Sequence, residues 1–390
     1  MKWEKVSLGD VVTFRGGGTP RKDVQEFWSN DIPWATVKDF RGLSLSCAQD
    51  SISRKGLESS SANLIPAGHV IIPTRMALGK AAINTIDIAI NQDLRALIPK
   101  KPLEPKYLLH SILGLADIIV QNGSGATVKG ITQEKLAKLK IPLPPLSEQK
   151  RIAKILDTAD ALRAKRRESI AQLDALIQST FLDMFGDPVT NPKGWEIRAF
   201  KNTSTKVQIG PFGSLLHKED YIQDGIPLVN PMHIVSGKIQ VGIEQTISED
   251  KAKELRNYRI KNGDVIMGRR GEMGRCAIVT ENENGFLCGT GSLFIRPLQE
   301  ELISVYIANV LSSEPMKNSL EALSQGVTMP NLNRTMIEGL RIPFPPLPLQ
   351  QHFASIVESI ERQKARLRAH LAELDTLFAS LQHRAFNGEL

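Results

Sequence analysis

Along the chain, apolar side chains recur at alternating steps of three and four in two long stretches. In the first, Ile152, Ile155, Ala159, Leu162, Leu173, Leu176 and Thr180 fall on one stripe. In the second, Phe353, Ile356, Ile360, Leu374, Leu377 and Leu381 repeat it with an offset of 201 residues, the distance from "IPLPPLSEQKRIAKILDTAD" at Ile141 to "IPFPPLPLQQHFASIVESIE" at Ile342. That spacing predicts two helices, beginning near Ser147 and Pro348 and each roughly 36–40 residues, or about 55–60 Å, long. Both runs end at an aromatic, Phe185 or Phe386, followed by Gly186 or Asn387, residue types that accept a left-handed helix cap. The prolines before each helix cannot donate to a sheet ladder and predict an extended connector or edge strand. Heptads this long need a partner, and each helix is the nearest partner of the other, as an antiparallel coiled coil.

The segments before the helices also correspond. "DIPWATVKDF" at Asp31 faces "GIPLVNPMHI" at Gly225, and "IPAGHVIIPTRMALGKAAI" at Ile65 faces "IKNGDVIMGRRGEMGRCAIV" at Ile260. "GSGATVKGITQEKLAKLKIPLPPL" at Gly123 faces "SQGVTMPNLNRTMIEGLRIPFPPL" at Ser324. Short apolar runs divided by glycine, such as "HVIIPTR", "DVIMGRR" and "LFIRP", predict strands with prominent loops. The expected fold is α+β (mixed α/β) with pseudo-twofold symmetry: a globule at 1–145, a long helix at 146–186, a second globule at 187–346, and a second long helix with a tail at 347–390.

The 390 residues suffice for two or three cores. No apolar run reaches the ~20 residues of a membrane helix, and the N-terminus lacks a signal peptide's apolar core, so a cytoplasmic protein is expected. Cys47, Cys276 and Cys288 are widely spaced and read as reduced thiols, not as a zinc site or disulfide framework. The seven histidines show no metal-ligand spacing. The net charge of +7 resides mainly in residues 1–145, which carry +6, while residues 186–346 sum to zero. Such an excess is compatible with a polyanionic partner without requiring one.

A globule, IPxPPL, a glutamine-bearing helix start, and then the same order again resemble the specificity subunit of a type I restriction–modification system. "GTPRKDVQEFWSNDIPWATVKDF" and "IGPFGSLLHKEDYIQDGIPLVN" are similar to openings of its target-recognition domains. The resemblance implies that each globule reads one half of a bipartite, asymmetric target in double-stranded DNA, while the helices set the gap and dock the modification subunits. It further implies two copies of an adenine methyltransferase subunit, motor-nuclease restriction subunits, and no catalytic residues in this chain. S-adenosylmethionine, ATP and Mg are then expected only in the partner subunits, and no metal here.

The residues agree with a non-enzyme. No GxxxxGK[ST] phosphate loop occurs, and "NPKG" at Asn191 and "NPMH" at Asn230 are not the Asn/Asp-Pro-Pro-aromatic turn of an amino-methyltransferase. For a DNA reader, arginine suits guanine, and asparagine or glutamine suits adenine. Candidate DNA contacts in the first globule are Thr19, Arg21, Lys22, Trp34, Thr36, Lys38, Arg75 and Lys80. In the second they are Ser214, His217, Lys218, Asn230, His233, Arg269, Arg270 and Arg275. The alternative function is a protein-binding scaffold with repeated globules and no DNA role. The structural alternative for the arginines is pairing with carboxylates such as Glu272 on a solvated surface, and "RAKRRES" at Arg163 fits either a phosphate binder or a compensated helix face.

Overall fold

The structure is a computed structural model that describes residues 3–125, 127–324 and 331–390. Part of the Ser324 repeat, residues 325–330, lies outside the described residues, as does Ala126. Two compact units are resolved: Met1–Arg167 with Arg368–Leu390, and Glu168–Leu367.

In the first unit Val70–Pro73 forms a strand buried along its whole length. It lies within a five-stranded sheet ordered Val12–Gly16, Leu94–Pro99, Val70–Pro73, Ala82–Asn84 and Ser44–Leu45. Side chains alternate across a strand, so one sequence feeds two cores. Val70, Ile72 and Leu97 join Tyr107, Leu108 and Ile112 of the helix Pro105–Leu113. Ile71, Leu94 and Ala96 pack instead on Ile65, Ile88 and Ile90 of a second, four-stranded sheet. In that sheet Ile32–Ala35 pairs antiparallel with Asp50–Ile52 and parallel with Ile88–Ile90.

The second unit repeats the layering. Its sheet runs Lys206–Ile209, Ser292–Arg296, Val265–Gly268 and Cys276–Ile278. Val265, Met267 and Ile295 pack on Tyr306, Ile307 and Val310, whereas Ile266 and Phe294 pack on Val229 and Cys288. The strand Ile226–Val229 again pairs parallel on one side, with Leu287–Cys288, and antiparallel on the other, with Thr246–Ile247. Cys276 and Cys288 are buried and Cys47 is exposed; burial pushes the Cys276 thiol up to about 12 and also raises that of Cys288.

The proline-rich segments form short edge ladders, Lys140–Pro142 with Lys5–Ser7 and Arg341–Phe344 with Glu196–Ala199. Helices follow at Leu146–Phe185 and Leu347–Asn387, of 40 and 41 residues. Gly186 takes the left-handed cap at φ 78°; in the second copy the helix runs through Asn387, and Gly388, at φ 73°, takes that role.

The helices pair antiparallel. In the first unit Arg151 donates to the Leu390 carbonyl at 2.7 Å and Arg163 meets Asp375 at 2.6 Å. In the second Lys364 meets Asp174 at 2.5 Å, and Phe181 meets Phe353 at 5.7 Å between ring centroids. Of the heptad stripe, Ile152, Phe353 and Ile360 are buried, while Ile155, Leu173, Ile356, Leu374 and Leu381 are half-buried. Leu162, Leu176 and Leu377 are instead 50%, 47% and 49% exposed. The half-buried positions beside them hold Arg163, Ile177 and Phe378, and Arg163 pairs with Asp375 of the other helix. Arg163 further bonds Asp160 at 2.7 Å, and its guanidinium carbon lies 4.4 Å from the Phe378 ring centre. Among the described residues no helix is long and apolar enough to cross a membrane.

Candidate nucleic-acid interface

In the first unit the glycine run Gly16–Gly18 lies hard against the sheet. A Cβ on Gly17 would fall 1.9 Å from the Ile90 carbonyl oxygen, and one on Gly18 would fall 2.0 Å from Ser61 Oγ. Only glycine permits that approach. It is fixed by Gly18 N–H donating to the Ile90 carbonyl at 3.0 Å and by Trp34 Nε1 donating to the Gly18 carbonyl at 2.9 Å. The loop then opens into a cleft of ≈ 890 Å³ whose walls include Thr19, Lys22, Trp34, Thr36, Lys38 and Gln92. Five of the eight residues picked from sequence in this unit therefore share one cleft.

Their local roles differ. Trp34 is buried, edge-on to Trp28 at 5.3 Å, and forms a fixed wall rather than a free stacking platform. The Thr36 hydroxyl accepts from Lys38 N–H at 3.3 Å and Thr36 N–H donates to Asp39 at 2.7 Å, capping the turn that carries Lys38 outward. Thr19 Oγ1 donates to Gln92 Oε1 at 2.5 Å. Arg21 lies off the cleft, paired with Asp23 at 2.6 Å, which raises its pKa. Lys80 donates to the Phe40 carbonyl at 3.2 Å. Arg75, 64% exposed at its side chain and 3.7 Å from Asp93, lines a neighbouring cleft of ≈ 740 Å³.

In the second unit the same devices recur with other side chains. A Cβ on Gly210 would meet the Gly289 carbonyl oxygen at 1.9 Å, as Gly17 meets Ile90. Asn230 stands at the start of the turn Pro231–His233 as Thr36 does at its own, but its carbonyl takes the His233 N–H at 2.9 Å while its Nδ2 donates away to Gln245 at 3.1 Å. His233, chosen as a DNA contact, is buried instead: its Nδ1 lies 3.2 Å from the Asn230 amide and 2.9 Å from the Leu228 carbonyl. Burial pulls its pKa below the ordinary value, against the opposing Leu228 hydrogen bond. Arg269 is likewise interior. It donates from Nε to the Thr290 carbonyl at 3.0 Å and from Nη1 to Asn331 at 3.2 Å, and burial lowers its pKa. Arg275 is ion-paired with Glu272, while Arg270, Ser214, His217 and Lys218 are exposed.

Arg75 and Arg270 hold equivalent places. Arg75 forms a lone antiparallel bridge with Gly130, and Arg270 forms one with Asn331. The preceding residues accept matching backbone bonds at 2.9 Å, Thr74 from Ile131 and Arg269 from Leu332. A left-handed residue follows each arginine, Met76 at φ 64° or Gly271 at φ 78°. Sequence reasoning missed Gln92 and Met76, which line both clefts. The amide-rich "NQD" after the strand Ile88–Ile90 was the available signal for the first, and nothing local marked the second. Among the described residues no group of three or more His, Cys, Asp or Glu is placed to hold a metal.

The family described as "Type I restriction modification DNA specificity domain" matches residues 1–173 and 208–375. The chain is 25% identical over 411 aligned positions to the type I restriction enzyme MjaIX specificity subunit of Methanocaldococcus jannaschii, covering 100% of this chain and 93% of that one. It is 34% identical over 188 positions to the EcoR124I/EcoR124II specificity subunit of Escherichia coli, 46% of each chain. The fold is similar to the crystal structure of the type I system S subunit from M. genitalium, with TM-score 0.58, 14% identity, and 99% and 96% coverage.

Proposed function

Because the chain belongs to the type I restriction–modification DNA specificity family, we propose that its two target-recognition units read two different halves of one asymmetric DNA target. Two copies of a modification subunit and, where present, motor-nuclease subunits act on the DNA so selected. S-adenosylmethionine, ATP and Mg belong to those partners, and the complex works in the cytoplasm.

The observation that carries this reading is the pair of equivalent arginine loops, Arg75 and Arg270, each in a unit whose sheet shares the same order over four strands. Arginine at a rigid loop tip can bond guanine O6 and N7 or anchor a phosphate. Lys22 and Lys38 supply further positive charge around the first cleft, where Thr19 and Gln92 offer hydrogen-bonding groups for base edges. Ser214, His217, Lys218 and Asn230 occupy the corresponding loops of the second unit, whereas Arg269 and His233 act by bracing them. Unlike side chains at like positions favour unlike half-sites, hence no palindrome. The paired helices, at about 60 Å each, match the span of two half-sites and an unread gap.

The test is to co-express the chain with its modification subunit and map methylated adenines across a host genome. One split, asymmetric motif with a fixed gap is expected, and a heptad inserted in both long helices widens that gap. Absence of methylation, or a contiguous palindrome, overturns the reading.

A further inference from the structure

Met76 stands in the left-handed region at φ 64°, where a side chain is disfavoured and the equivalent residue of the second unit is Gly271 at φ 78°. The turn therefore works with glycine, and the methionine brings strain to it. Packing repays little of that strain, since Met76 is 63% exposed. Its backbone is held by a hydrogen bond from its N–H to the Lys129 carbonyl at 3.1 Å, directly after the rim residue Arg75. Met76 lines both clefts, and so does Gln92. Gln92 is itself oriented: its Oε1 accepts from the Thr19 hydroxyl at 2.5 Å and its Nε2 donates to Asp93 at 3.5 Å, leaving a second lone pair and one amide proton for a base edge.

We infer that Met76 and Gln92 together read an A·T base pair in the half-site of the first unit. The inference rests on the DNA-reading function proposed above and adds the chemical identity of one contact. Adenine presents an acceptor, N7, beside a donor, the N6 amino group, and one primary amide satisfies both. The thymine of such a pair presents a 5-methyl group, and an exposed, polarizable, unbranched thioether is suited to cover it. A glycine at position 76 would relieve the backbone and leave that methyl in water.

The experiment uses the complete chain in complex with its modification subunit. Duplexes carry the mapped motif with each thymine replaced in turn by deoxyuridine, which removes only the methyl. The wild type should show one position where the replacement weakens binding about fourfold, the worth of a buried methyl. Met76→Gly should lose that sensitivity while keeping or raising its thermal midpoint. Gln92→Ala should relax discrimination at the same pair. A wild-type complex with no sequence preference overturns the DNA-reading function itself. Sequence preference without a methyl-sensitive position, or with sensitivity retained in Met76→Gly, overturns this inference alone. A lowered midpoint for Met76→Gly also overturns it, because the methionine is then a packing residue.

Discussion

Gln149 and Gln350 make the same two hydrogen bonds in their respective units. Gln149 accepts from the Glu104 backbone N–H at 3.0 Å and donates to the Pro144 carbonyl at 2.9 Å. Gln350 accepts from Ile303 N–H and donates to the Pro345 carbonyl, both at 2.9 Å. Each is buried, and each ties the proline-rich connector to the start of a helix at the globule's edge. Tyr107 and Tyr306 lock the same connectors, donating to the carbonyls of Pro142 and Pro343 at 2.8 and 2.9 Å.

Removing either glutamine strands a half-buried donor and a buried acceptor. Gln149→Ala and Gln350→Ala should each lose roughly 1–3 kcal/mol in urea unfolding. Gln→Glu should not restore the loss, because a carboxylate cannot donate to the proline carbonyl. Hydrogen exchange should place the first defect around Glu104 and the second around Ile303. Unchanged stability in both alanine variants would refute the role.

The aromatic stops have unequal weight. Phe185 is buried and meets Tyr306 at 4.8 Å and Phe353 at 5.3 Å, whereas Phe386 is half-buried and meets Tyr107 at 5.9 Å. Phe185→Ala should cost about 3–5 kcal/mol and Phe386→Ala distinctly less. Equal losses in calorimetry would count against that ranking.

The repeat was legible because its marks are local: prolines, a buried glutamine and a terminal aromatic sit at fixed offsets on each helix. The inward register was less so. Leu162 looks like an interior residue and Arg163 like a surface one, yet the structure reverses them, because Asp375 neutralises the arginine from the other helix. His233 and Arg269 are interior for a similar reason. Their partners, the carbonyls of Leu228 and Thr290, become neighbours only once the chain folds. The left-handed backbone of Met76 is marked only through the repeat, which sets Gly271 opposite it.

His233 makes the second unit acid-sensitive. Its folded pKa lies below the ordinary 6.5, so the unfolded chain takes up a proton that the folded unit resists. The neutral ring contributes stability above about pH 6.5, and that contribution falls as the pH drops below it. Between about pH 7.5 and about pH 5 the wild type should lose more stability than His233→Asn, whose side-chain amide carries both a donor and an acceptor but does not titrate. Parallel pH profiles would contradict this.

The central claim, that each unit reads its own half of the target, is tested most directly by methylation mapping of two variants. With the modification subunit present, Arg75→Ala should relax or weaken recognition in one half of the split motif and leave the other half and the gap intact. Arg270→Ala should do the same to the opposite half. Relaxation of the same half by both variants, or an unchanged motif in both, would contradict the account.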